Sequence, residues 1–126
     1  MIICPYCQGE ARLVDGRAVY PNRRDLWDKP VWACLPCRAW VGCHPDTEVP
    51  LGRLADSALR AAKMAAHAAF DPIWREGRMT RKAAYRWLAA QMGIREADCH
   101  IGHFDLKQCK AVVDAVVRAA EQESSA

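Results

Sequence analysis

Cys4-Pro5-Tyr6-Cys7 and Cys34-Leu35-Pro36-Cys37 are two Cys-x-x-Cys pairs in one chain of 126 residues, with 26 residues between them. A turn of this kind brings two sulfurs to one ion while backbone N–H groups point at the thiolates. Zinc, with its filled d shell, asks only for four such ligands in a tetrahedron. The intervening residues then have one task, to return the chain to the same ion. Four cysteines close the coordination shell and leave no open position for catalysis. A ribbon this small has little core of its own, so the metal supplies folding free energy, about 10 kcal/mol or more in small zinc peptides. Four cysteines are also the ligand set of an iron–sulfur centre. A thioredoxin-like redox motif, by contrast, is a single pair at the start of a helix. One structural Zn2+ on Cys4, Cys7, Cys34 and Cys37 is the expectation.

The chain has seven cysteines, an odd number that would leave a thiol over in a fully disulfide-bonded framework. Cys109 falls on an apolar helical stripe and reads as a core residue. Cys43-His44 follows the second pair closely, but the two pairs already complete a tetrahedron. Cys99-His100-Ile101-Gly102-His103 is a candidate second metal site, with Cys109 or His67 as further members. The plainer reading is that His100 and His103 shape a loop. His67 shares a helix stripe with Asp56, Arg60 and Lys63, either a solvated face or one turned to a partner.

Around the cysteines the chain divides in two. Residues 1–50, rich in Cys, Pro, Gly and Trp, read as a zinc-ribbon module. Glu10–Val14 and Arg17–Tyr20 flank Asp15-Gly16, a dipeptide favoured in type I′ turns, and predict a β-hairpin. Pro30–Ala33 and Ala39–Gly42 are short strands into and out of the second pair. His44–Pro50 reads as the connection. Residues 51–121 are rich in Ala and predict three helices. The first spans about Leu54 to Phe70 with Leu59, Ala62, Ala66, Phe70 and Ile73 on one face, and Asp71-Pro72 ends it. The second spans about Arg81 to Met92, with Thr80 as N-cap, Gly93 as C′ residue and Ala84, Tyr85, Leu88 and Met92 as its apolar face. The third spans about Leu106 to Glu121, opened by an Asp105/Gln108 capping box, with Leu106, Cys109, Val113, Val116, Val117 and Ala120 inward. Residues 122–126 read as a flexible tail. The fold class is α+β, a small zinc ribbon packed on a three-helix part.

The net charge of +3 is too small to imply nucleic acid by itself. Its placement says more. Arg75, Arg78, Arg81, Lys82 and Arg86 crowd one segment opposed locally by Glu76 alone, and Lys82 and Arg86 share a helix face. Arg23 and Arg24 extend the basic set in the ribbon, where Arg12, Arg17 and Arg38 also lie and where Tyr20, Trp27 and Trp40 offer stacking surfaces. Nucleic-acid binding through the face around residues 75–86 is the first expectation. The alternative is a protein-interaction module anchored by Trp and Arg, acting as inhibitor or adaptor of a host complex, for example in defence. No enzyme is expected: His67, His100 and His103 beside Asp71 or Asp105 are a conceivable metal-dependent hydrolytic centre, but no nucleophile–base or open-metal motif accompanies them. No small-molecule substrate is expected. No apolar run is long enough for a bilayer, and Met1-Ile2-Ile3-Cys4-Pro5 lacks the regions of a signal peptide. Neither a membrane partner nor export is expected.

The order of motifs resembles the zinc-finger-containing domain family of bacteriophage and prophage proteins. It runs through Cys4-Pro5-Tyr6-Cys7, Val19–Arg23, Val41-Gly42-Cys43-His44 and Pro50-Leu51-Gly52, then Ala66–Trp74, Tyr85–Ala89, Met92-Gly93 and His100–Phe104. The likeness covers nearly the whole chain. It implies a metal-binding, phage-type protein, with the four cysteines as ligands and no activity attached. With neither a span nor a signal peptide expected, the cytoplasm of a bacterial host cell is the expected location.

Overall fold

The computed structural model describes residues 1–125. The chain forms two compact units, the first comprising Met1–Ala58 and the second starting at Leu59. Among the described residues no helix is long and apolar enough to cross a membrane.

In the first unit, β1 (Arg12–Asp15), β2 (Pro30–Cys34) and β3 (Ala39–Gly42) form an antiparallel sheet in sequence order. Leu13 faces Trp32, and Cys34 faces Ala39 across the turn that carries the second cysteine pair. One core cluster comprises Cys4, Ala11, Cys34, Ala39 and Leu54, flanked by Ile2, Trp32, Cys37 and Val41, and Val31, Ala33 and Ala55 are buried as well. Three of the four paired cysteines therefore lie within or against the same cluster, and metal and core are one structural element.

The hairpin expected at Asp15-Gly16 does not form. Residues Gly16–Ala18 turn into a 3-10 helix, and β1 pairs instead with β2. The reason is close packing at Gly16, where an added Cβ would stand 1.7 Å from the Leu26 carbonyl oxygen. The glycine serves as a site of backbone contact, and the Tyr20 N–H donates to its carbonyl at 2.7 Å. Residues 17–20 thus leave the sheet. The aromatics hold this connection in place: Trp40 Nε1 donates to the Tyr20 hydroxyl at 2.9 Å, and Trp27 Nε1 to the Pro21 carbonyl at 3.3 Å.

The stretch His44–Pro50, expected as the connection between halves, is tied into the first unit. Cys43 bridges Pro50, His44 N–H donates to the Val49 carbonyl at 2.9 Å, and Leu51 N–H to Gly42 at 2.9 Å. Trp40 and Ala55 exchange backbone hydrogen bonds at 3.0–3.1 Å. Backbone pairing carries the first unit beyond residue 50.

The second unit holds α1 (Ser57–Arg75) from Leu59 onward, α2 (Arg81–Met92) and α3 (Leu106–Ser125), and short 3-10 turns at Glu96–Asp98 and Ile101–His103 lie between α2 and α3. α1 does not stop at Asp71-Pro72. Pro72 lies inside it, and the Glu76 N–H donates to the Pro72 carbonyl at 2.9 Å. A proline in a helix interior costs about 3 kcal/mol. Here two contacts at i,i+4 spacing bracket it: His67 Nδ1 meets both Asp71 oxygens at 3.2 Å, and Arg75 meets Asp71 at 3.7 Å. Burial of Phe70 beneath the same turn adds to them.

The caps of α2 and α3 form as the sequence indicates. Thr80 accepts from the Ala83 N–H at 3.1 Å, and Gly93 adopts φ 69°. Asp105 and Gln108 exchange hydrogen bonds at 3.0 and 2.8 Å. The buried stripe of α3 is rotated from the expected one. Cys109, Val112 and Ala115 are buried, whereas Leu106 and Val117 are exposed. The helix also continues past Glu121 to Ser125, through most of the expected tail, whose last residue, Ala126, lies outside the described residues.

Gly16 gives a direct test of the turn. Gly16→Ala is expected to lower stability by about 2–3 kcal/mol, since small-to-large changes against fixed backbone cost this much or more. Gly42→Ala, whose Cβ would meet only Leu51 at 3.7 Å, is expected to change it by less than about 1 kcal/mol. Urea unfolding of the zinc-loaded protein measures both.

Candidate metal centre and basic surface

Two turns of similar design build the metal centre. In each, the residue after the second cysteine takes a left-handed conformation, Gln8 at φ 65° and Arg38 at φ 52°. That reversal directs backbone donors inward. Gln8 N–H closes the first turn onto the Cys4 carbonyl at 2.9 Å, and Arg38 N–H closes the second onto Leu35 at 3.1 Å. The Gly9 N–H points at Cys7 Sγ, 3.4 Å away. Tyr6, between the first two cysteines, accepts from the Asp56 N–H at 3.1 Å and fastens the first turn to the end of the unit.

The sulfurs of Cys4, Cys7, Cys34 and Cys37 all lie within 4.8 Å of one another, and Cys7 and Cys34 are 3.7 Å apart. Zn–S bonds of about 2.3 Å in a tetrahedron require S–S separations of about 3.8 Å, so the donor set fits zinc. Cys4 and Cys34 are buried, Cys37 is half-buried and Cys7 is exposed.

The electrostatics call for a cation. The Gly9 N–H, with help from the neighbouring thiols, pulls Cys7 below the usual thiol range. Its hydrogen bond to Cys37 then opposes a second ionisation, and with Cys34 and burial adding to it the Cys37 thiol is pushed up to about 12. Cys34 is also raised: the Cys37 backbone N–H lowers it, as does the Cys37 thiol, but burial and the Cys7 and Cys4 thiols outweigh them. Four thiolates need a dication among them, and loading zinc expels protons.

The second cysteine–histidine group does not assemble in this way. Among the described residues, only the four-cysteine cluster brings three or more ligand atoms within reach of one ion. Cys99 and Cys109 are buried, and burial raises the Cys99 thiol, which keeps it protonated and weakly nucleophilic. The rings of His100 and His103 meet edge to face with centroids 6.1 Å apart. His67 is engaged by Asp71, and from the same stripe Lys63 donates to the Gly102 carbonyl at 2.8 Å. That stripe makes contacts within the unit.

The basic set is narrower than its composition suggests. Carboxylates pair with three of its members: Glu96, ten residues away, with Arg86 at 2.8 Å, Glu123 with Arg78 at 3.8 Å, and Asp71, one helical turn away, with Arg75 at 3.7 Å. Arg23 is taken up by Asp25 through two hydrogen bonds of 3.0 and 2.8 Å. Arg24 lies over the Trp27 ring at 5.4 Å, with Arg17 over the same ring at 4.6 Å. Arg81 is likewise held by aromatic rings, here two of them, 5.5 Å from the Trp74 ring and 5.3 Å from the Tyr85 ring. Among the described residues neither Arg81 nor Lys82 has an ion-pair partner. The i,i+4 spacing of Asp71 and Arg75 was visible in the sequence. The partners of Arg86 and Arg78 were not, because Glu96 and Glu123 reach them only through the fold.

A family of zinc-finger-containing domains matches residues 1–119, a span that includes both cysteine pairs and nearly all of the helical unit. Neither the curated proteins nor the solved structures contain a match.

Metal analysis of the purified protein is expected to give one zinc per chain. Cys37→Ser is expected to lose the zinc and unfold the first unit, whereas Cys99→Ser and Cys43→Ser are expected to keep it. Zinc affinity is expected to weaken as pH falls, because protons compete for the same thiolates.

Proposed function

The chain belongs to the family of zinc-finger-containing domains, and on that premise we propose that it binds nucleic acid through Arg81 and Lys82 on α2, with the zinc ribbon as scaffold. The supporting observation is the setting of Arg81, whose guanidinium is fixed by Trp74 and Tyr85 without a carboxylate against it. Aromatic neighbours orient a guanidinium while leaving its charge and N–H donors for a phosphate. A carboxylate would cancel both. Lys82 adds a second charge beside it. Phosphate contacts of this kind give binding that weakens steeply with salt.

The closed Cys4–Cys7–Cys34–Cys37 centre has a structural role in this reading, and the chain acts as a binding protein rather than an enzyme. His67 is occupied with Asp71, and Cys99 is a buried, protonated thiol. A second reading, a protein-interaction module acting as inhibitor or adaptor of a host complex, draws on the apolar side chains that the first unit exposes, notably Leu35, Val49 and Leu51. A phage-type origin would suit either reading.

Charge reversal tests the first. Arg81→Glu with Lys82→Glu is expected to weaken binding of a short DNA or RNA duplex or single strand roughly tenfold or more, and to lower the salt slope by about 2. Fluorescence anisotropy across a salt series measures this. A wild-type protein without affinity at low salt, or a double variant that binds equally well, rejects the reading.

A further inference from the structure

Beside Arg81 the second unit has a cleft of about 460 Å3, within the range of roughly 300–1,000 Å3 found for small-ligand sites. The start of α2 forms one wall. Arg81, Lys82, Tyr85 and Arg86 lie at positions i, i+1, i+4 and i+5, so they line one side of the helix. Glu96 and His100 also line the cleft, from the turn and loop that follow α2, together with the buried Cys99.

The charge of this lining is specific. Its three cations against one carboxylate leave a formal +2 from the Arg, Lys and Glu side chains of the cleft. The positive end of the α2 dipole adds to it. An internal phosphodiester carries a single negative charge, whereas a phosphate monoester carries about −1.5 to −2 at neutral pH and three acceptor oxygens. Arg81 is already oriented by its aromatic neighbours, and Arg86 is oriented by Glu96 at 2.8 Å.

We infer that this cleft is a phosphate-monoester site, taking the terminal phosphate of a nucleic-acid strand or the phosphate of a free mononucleotide. The inference rests on the nucleic-acid reading above and narrows it, from a basic face that follows a backbone to a cleft that recognises an end. Arg81 and Lys82 contact the phosphate oxygens. Arg86 exchanges its bond to Glu96 for one to the ligand. Tyr85 acts as a positioning residue for Arg81.

The experiment compares two single strands of one sequence, with an internal dye and ends either phosphorylated or hydroxyl, against the zinc-loaded full chain. The phosphorylated strand is expected to bind about tenfold more tightly, as for a gained charge-assisted contact. Glu96→Gln is expected to widen that ratio several-fold, because it removes the opposing carboxylate and releases Arg86. The exposed Arg86–Glu96 pair contributes little to folding, and a gain in binding does not arise from misfolding. Arg86→Gln is expected to narrow the ratio. Competition with adenosine monophosphate identifies the source: displacement of the phosphorylated strand means that the cleft takes a free mononucleotide, and no displacement with the ratio retained means that it takes a strand end. Equal affinity for the two strands, or a ratio unmoved by Glu96→Gln, overturns the inference while leaving the basic-face reading intact. Absence of binding to either strand overturns both.

Discussion

Four sulfurs drawn within 4.8 Å of one another repel as thiolates and gain little as thiols, and the first unit depends on how that conflict is resolved. A dication at their centre turns repulsion into the strongest cross-link in the ribbon. The rest of the unit follows from it. Cys4 and Cys34 form part of the core as well as the site, so metal binding and packing in this cluster support each other. The left-handed residues of the two cysteine turns, Gln8 and Arg38, carry a conformational cost of about 1–2 kcal/mol each, small beside the free energy of zinc binding. The closed shell also removes the metal from direct chemistry. It places the search for function on what the two units present.

On the second unit, ion pairing decides which charges remain available. The segment around residues 75–86 looks uniformly basic in one dimension, yet Asp71, Glu96 and Glu123 engage three of its arginines. These are largely exposed pairs and contribute little to stability. Their larger effect is to focus the field, leaving Arg81 and Lys82 as the cations of that segment without an ion-pair partner among the described residues. A proposed ligand site made of a few oriented charges can be more selective than a wide basic face, because the number and geometry of its donors match particular anions.

The sequence revealed those features whose physics is local. Paired cysteines at fixed spacing, the Thr80 cap, the Gly93 terminus and the Asp105/Gln108 capping box each depend on residues within one turn, and each formed as expected. The features that differed depend on distant partners. Asp15-Gly16 has the composition of a hairpin turn, but Gly16 is needed for close approach to Leu26, which nothing in the dipeptide reveals. Pro72 carries a stop signal, but contacts of His67 and Arg75 with Asp71 bracket it and the helix continues. The stripe of α3 was ambiguous because alanines and valines occur on adjacent faces, and packing selected Cys109, Val112 and Ala115. The candidate cleft was legible in part: Arg81, Lys82 and Arg86 stood out by charge, whereas Glu96 and Cys99 join them only once the loop after α2 folds back.

The central claim, a closed four-sulfur zinc centre that organises the first unit, is tested most directly by zinc K-edge X-ray absorption on the purified full-length protein. Four sulfur neighbours at about 2.3 Å with no nitrogen or oxygen in the shell is the predicted result. A mixed shell containing histidine nitrogen or water oxygen would contradict it, and would move the metal from Cys4, Cys7, Cys34 and Cys37 to a different ligand set.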